Sequence, residues 1–167
     1  MSDKVYHVLF LSRRNSARSI LAEAALNKIG KGRFIAHGAG VDPATEVDPH
    51  VVVLLRSEGF DVAQTRPRHY REFAQEGAAD IDFVFTLSDT AAGEPLPEWP
   101  GQPVTAHWNS PDPLLATGAE WERKQAYVRI LKELERRLAI FINLPFASLD
   151  RMSLKRHLDE IGELSAR

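Results

Sequence analysis

The 167-residue chain contains no cysteine. That excludes disulfides, thiolate metal ligands and any reaction of this chain that needs a sulfur nucleophile. It also has no apolar run approaching the ~18–20 residues of a bilayer span. The start, Met1-Ser2-Asp3-Lys4, lacks the apolar core and cleavage site of a secretory signal. A cytoplasmic protein is the expectation. Charge of one sign is lacking too: 21 Lys and Arg stand against 23 Asp and Glu, for a net charge of -2. Bulk electrostatics therefore argue against a nucleic-acid partner or an anionic membrane. Internal repeats and low-complexity tracts are absent. What is present is ordinary globular composition, 44% hydrophobic and 26% charged. A single domain over 1–167 can bury its own core without staples.

The apolar pattern predicts an alternation of strands and helices. Val5 to Leu11 reads as a buried strand and Ser19 to Ile29 as a helix stopped by Gly30. Phe34 to His37 reads as a second strand ending at Gly38. Pro49 to Glu58 reads as a helix with Asp48 as N-cap. Tyr70 to Gln75 follows as a short helix, and Ile81 to Leu87 as the third strand. Ala92 to Pro103 is a Pro- and Gly-rich loop in which Trp99 covers a core edge. Val104 to Trp108 is a fourth strand, and Glu120 to Phe141 the longest helix. The stretch 144–162 reads as a C-terminal amphipathic helix packed on the domain, with Ser148 as its cap. This order predicts an α/β fold, a four-stranded parallel sheet with helices on both faces. Ligands of such sheets sit at the carboxyl ends of the strands. The loops there are 12–18, 38–42, 88–93 and 109–113.

Loop Ser12-Arg13-Arg14-Asn15-Ser16-Ala17-Arg18-Ser19 carries the chemistry. It joins a buried strand to a helix start, where free N–H groups and the helix dipole favour an anion. Arg18 can fork onto two oxygens of a tetrahedral anion. Asn15 suits a backbone of positive φ. Physics alone gives an oxyanion pocket, set against an ordinary turn with solvated arginines.

The run Val8-Leu9-Phe10-Leu11-Ser12-x-x-Asn15-Ser16-Ala17-Arg18-Ser19 resembles the P-loop of the low-molecular-weight protein tyrosine phosphatases, in particular their thioredoxin-coupled arsenate reductase branch. Asp82 to Glu94, Trp99 to Pro103 and Ala106-His107-Trp108-x-x-Pro111-Asp112-Pro113 continue the resemblance in order, as does the tail around Leu149 and Ile161. The resemblance implies that fold, with Arg18 and the loop amides on the oxyanion and Asp112 as the general acid. It also marks four departures. Ser12 stands at the position of the family's nucleophilic cysteine, Ser88 stands where reductases have a second one, and the resolving cysteine expected near Pro95 or Leu96 is missing. Arg13-Arg14 replaces a usually small Thr-Gly pair.

A hydroxyl is a weak nucleophile unless a base activates it, and thiol-disulfide exchange cannot run without sulfur. The expectation is therefore a protein that binds phosphate, arsenate or a phosphoryl group through residues 12–19, thiol catalysis being lost. One alternative is an active phosphatase, either one whose cysteine has been exchanged for Ser12 or one using Ser12 or water with Asp112 as acid. Another is a phospho-ligand sensor in which Arg13 and Arg14 read a larger anion. No cofactor or metal is expected, and the sequence names no protein partner. His37 and His107 read as core or surface histidines, Asp48 as a cap, and the charges of 122–137 as a solvated helix face.

Overall fold

The computed structural model describes residues 4–63 and 65–164. Residues 1–3, within the segment read above for a targeting signal, lie outside the described residues. Four strands, β1 (Tyr6–Ser12), β2 (Phe34–Gly40), β3 (Phe83–Thr86) and β4 (Val104–His107), form one sheet in the order β2-β1-β3-β4. Every pairing is parallel, with Tyr6 opposite Phe34, Val8 opposite Phe83, and Phe83 opposite Val104. The helices are α1 (Arg18–Ile29), α2 (Pro49–Ser57), α3 (Asp89–Gly93), α4 (Glu120–Ile142) and α5 (Arg151–Gly162). After β1 the chain turns to β2 on one side and later to β3 on the other. Loop 12–18 therefore leaves the sheet where strand order reverses, the crevice in which open α/β sheets hold ligands.

Both faces carry helices, unequally. Val8, Phe10, Phe34, Ala36, Phe83, Phe85, Val104 and Ala106 point to one face, which packs on α1, α2, α4 and α5. Phe141 of α4 meets Phe34, Phe83 and Phe85 at centroid distances of 5.1–5.3 Å, and Trp108 stacks on Phe85 at 3.9 Å. Each such buried side chain contributes about 1.5–3 kcal/mol. The alternate residues Leu9, Leu11, Ala39 and Val84 meet a thinner layer made by Tyr70, Ala91 and Trp99.

The structure corrects several boundaries. β1 runs on through Ser12, so the loop's first residue is the last of the strand. β2 continues to Gly40 because both glycines are needed. A Cβ at Gly38 would lie 2.8 Å from Glu23 Oε2, and one at Gly40 would lie 3.0 Å from the backbone of residues 13–15. β3 is confined to 83–86, the stretch that pairs with both neighbours. Residues 89–93, expected as loop, form α3, capped by the Ser88 side chain on Ala91 N. The tail divides into a 3₁₀ turn at Phe146–Ser148 and then α5, capped by Asp150 rather than Ser148. Asp150 Oδ1 accepts from Ser153 N at 2.7 Å, whereas Ser148 is taken up by the turn.

The expected solvated face of α4 holds for Glu122, Arg123, Lys124, Lys132, Glu135 and Arg136, and is corrected at two positions. Glu133 and Arg137 are buried and paired at 3.0 Å. Arg137 donates to the carbonyls of Asn109, Gly162 and Leu164. This explains the burial of two charges: one guanidinium joins α4, the end of α5 and the segment after β4. Helix α5 covers the open edge of β4, where Arg151 donates to Pro103 O and Lys155 to Thr105 O. Such cover blunts an edge that would otherwise template pairing with another chain.

Candidate oxyanion site

Residues 12–19 turn tightly from β1 into α1. Asn15 has φ 48°, the positive value its short polar side chain tolerates. The turn lies against the end of β2 and the segment after it. Val41 N donates to Ser12 O, Asp42 N to Arg13 O and Ala44 N to Arg14 O. Asp48 N donates to Ser16 O, and the Asp48 carboxylate accepts from His50 N and the Tyr127 hydroxyl. Asp48 is thus the cap of α2 and also ties that helix to the loop and to α4.

Ser12 is buried. Its Oγ lies 2.8 Å from Ser19 Oγ and accepts from Asn15 N at 3.2 Å. The Asn15 amide donates to Ser19 Oγ, while its oxygen accepts from Arg68 N at 2.9 Å. Arg68 thus fixes which way the amide faces. The hydroxyl hydrogens can then run in series, Ser19 to Ser12 and Ser12 to an anion. Helix α1 begins at Arg18 with Ala17 at its cap position and no side-chain cap. Helices α2, α3 and α5 each have one. The first amides of α1 are left to other acceptors.

The second wall comes from the segment after β4. Arg18 Nη1 donates to Ser110 O at 3.0 Å, and its Nη2 lies 3.8 Å from Asp112 Oδ2. Burial lowers the Arg18 pKa from the ordinary guanidinium value, against the opposing fields of Asp112 and Asp89. Asp112 divides its oxygens: Oδ1 accepts from Leu114 N and caps the 3₁₀ turn Pro113–Leu115, and Oδ2 faces Arg18. Capping and facing the pocket are both true of it.

Ser12, Arg14, Asn15, Ser16, Ala17, Arg18, Asp112 and Leu114 line one small pocket. Ser19 lies behind it on the hydroxyl chain, and Arg13 is exposed on the outer side of the turn. Apart from Arg13, the residues singled out in 12–19 therefore converge with Asp112, although about a hundred residues separate them in the chain. Leu114 and Arg137 were not anticipated, and Asp42 only as the end of loop 38–42. Leu114 follows Asp112-Pro113 directly, so its place in the loop was a usable signal. Nothing in the sequence around Arg137 pointed to this site.

His37 and His107 sit at the opposite face. His7 Nδ1 and His37 Nε2 are 3.0 Å apart with the rings stacked, and His107 bonds to Thr86 and Asp89. Among the described residues no group of three His, Asp or Glu side chains is placed to hold a metal, and no helix is long and apolar enough to cross a membrane.

Residues 7–155 match the low molecular weight phosphotyrosine protein phosphatase family. An arsenate reductase of Halalkalibacterium halodurans is 30% identical over 84% of this chain and 96% of its own length. The crystal structure of an arsenate reductase from Archaeoglobus fulgidus is similar at TM-score 0.66 and 30% identity, covering 82% of this chain and 99% of that one. A low molecular weight protein tyrosine phosphatase from T. tengcongensis shares the fold at TM-score 0.64 and 22% identity, covering 82% and 97% of the two chains.

Proposed function

We propose, for a chain that belongs to the low molecular weight phosphotyrosine protein phosphatase family, that it binds a tetrahedral oxyanion in the 12–19 loop and does not turn it over by thiol chemistry. The ligand is phosphate, arsenate or a phosphoryl group. The observation that carries this reading is the surroundings of Ser12 Oγ. Its partners are a hydroxyl and a backbone N–H, Ser19 Oγ and Asn15 N, and neither is a base. A hydroxyl so placed is poorly activated for attack on phosphorus. It is well placed to donate to an anion. Arg18, the uncapped start of α1 and the turn amides supply the remaining donors.

Asp112 faces the same pocket, where a general acid would stand, so turnover belongs in the test. Phosphate and arsenate are titrated calorimetrically into the chain, its Arg18→Ala variant and its Ser12→Cys variant. Aryl phosphate hydrolysis is followed in parallel. The expected outcome is binding without turnover in the chain as it stands. Arg18→Ala should weaken binding by about 10- to 100-fold, the worth of a charge-assisted fork. Ser12→Cys should introduce hydrolysis, slowed by a further Asp112→Asn. Hydrolysis by the serine form that disappears in Ser12→Ala would overturn the reading in favour of an activated hydroxyl.

A further inference from the structure

We propose that Arg14 selects a ligand with a second anionic group, so that the site takes a diphosphate-type anion, one phosphoryl group inside the loop and the next on the Arg14 guanidinium. This rests on the oxyanion reading above. Arg14 lines the same pocket as Ser12 and Arg18. The backbone beneath it is clamped: Ala44 N donates to Arg14 O at 2.9 Å, Asp42 N to Arg13 O at 2.8 Å, and Gly40 approaches residues 13–15 closely. Only the side chain is left free to choose its partner. That partner is Asp42, whose Oδ2 lies 2.7 Å from Arg14 Nη1.

The Arg14–Asp42 pair is a surface one, with side-chain exposures of 42% and 65%. Pairs so exposed are screened and contribute little to stability. A guanidinium has five N–H donors and this contact uses one nitrogen, so the rest of the fork stays open to an anion. Asp42 holds Arg14 ready at the mouth, and a phosphoryl group can displace it. Arg13 is exposed beside it and makes no ion pair among the described residues. At the pocket two guanidinium groups, Arg14 and Arg18, face the carboxylates of Asp42 and Asp112, and the field of Asp89 also reaches Arg18. Ser12 adds no charge. A ligand that displaces Asp42 takes over the Arg14 guanidinium, and a diphosphate brings more negative charge to it than a single phosphate does.

The test titrates phosphate, inorganic pyrophosphate and adenosine diphosphate into the full chain and into Arg14→Met, Asp42→Asn and Arg18→Ala. Pyrophosphate is expected to bind about tenfold tighter than phosphate, as one further charge-assisted fork implies. Arg14→Met should close that gap, Asp42→Asn should widen it, and raised salt should narrow it. Adenosine diphosphate matching pyrophosphate assigns the site to esterified diphosphates; adenosine diphosphate binding only as well as phosphate assigns it to the free anion. Equal affinities in the parent chain, or a gap that survives Arg14→Met, would overturn the proposal while leaving the loop assignment standing. No binding of either inorganic anion, with Arg18→Ala indistinguishable from the parent, would overturn the loop assignment itself.

Discussion

The two loops that meet at the site are held in different proportions by backbone and by side chain. Loop 12–18 is fixed by backbone hydrogen bonds to residues 41–48 and by two glycines that leave it room. Segment 109–112 has one backbone bond, from Ser110 N to Leu87 O, and is otherwise held by side chains: Arg18 holds Ser110 O, and Arg137, reaching from α4, holds Asn109 O. One wall of the pocket is set by steric fit and the other by buried charge. Steric support tolerates changes of outward-facing side chains, as the exposed Arg13 illustrates. Charge support depends on single guanidinium groups. The difference teaches where each wall is vulnerable.

The largest effect is expected at Arg137. Arg137→Met keeps the bulk but strands Glu133, buried with a side-chain exposure of 5%. Removing one partner of a buried pair costs about 3–5 kcal/mol. Urea unfolding should show that loss, and the double variant Arg137→Met, Glu133→Leu should recover much of it. A loss below about 1 kcal/mol would mean that segment 109–112 is not hung on Arg137.

Next comes Gly40→Ala, which tests the steric wall. Its Cβ would meet Arg13 O, Arg14 C and Asn15 N at 3.0 Å, and none of these is a flexible side-chain end. Overpacking of this kind costs about 1–3 kcal/mol, and phosphate affinity should fall with it. Gly93→Ala is the control, since nothing lies within 4 Å of its Cβ. Equal behaviour of the two variants would remove the steric account of the loop.

Acidity gives a further probe, through Glu23 beside Gly38 and His37 on β2, whose pKa values are both displaced by burial. Burial raises Glu23, which stands beside Asn15 and Gly38, from 4.5 to about 7, against the field of Arg68. Burial, His7 and Arg68 lower His37 from 6.5 to about 4. Between 4.5 and 7 the folded chain holds more protons on Glu23 than the unfolded chain does. Stability from Glu23 is therefore full below 4.5 and is lost as pH rises through 7. His37 has the opposite sign: its contribution is full above 6.5 and is lost as pH falls to 4. The two offset one another between 4.5 and 6.5. Glu23→Gln should leave stability that falls on acidification, and His37→Gln stability that falls on alkalinisation. Each change should amount to at most about 3 kcal/mol across its window. Identical pH profiles of the two variants would break this account.

The smallest effect is expected where neither loop is touched. Lys155→Ala removes an exposed contact to Thr105 O on the β4 edge. It should cost no more than about 0.5 kcal/mol.

The legible parts of this molecule are those written in local pattern. The strand and helix order follows from runs such as Val5–Leu11 and from the helical spacing within 120–141. Residues 12–19 could be picked out because turn, arginine and helix start are contiguous. Misplaced boundaries fall where a neighbour decides. Gly38 read as a strand end, yet β2 continues because those glycines admit the loop. Ser148 read as a cap, yet Asp150 has the better reach to Ser153 N. Glu133 and Arg137 read as solvated because charge patterning along one helix cannot reveal that two other segments close over it.

The sequence by itself determined the absence of cysteine, the alternation that makes a parallel sheet, and the family through its ordered motifs, because each is a matter of residue type and spacing. Tertiary structure alone decided that Asp112 comes within 3.8 Å of Arg18, that Arg14 is held by Asp42, and that a guanidinium of α4 supports the far wall. These are contacts between segments tens of residues apart. They exist only once the sheet has brought the carboxyl ends of β1, β3 and β4 side by side.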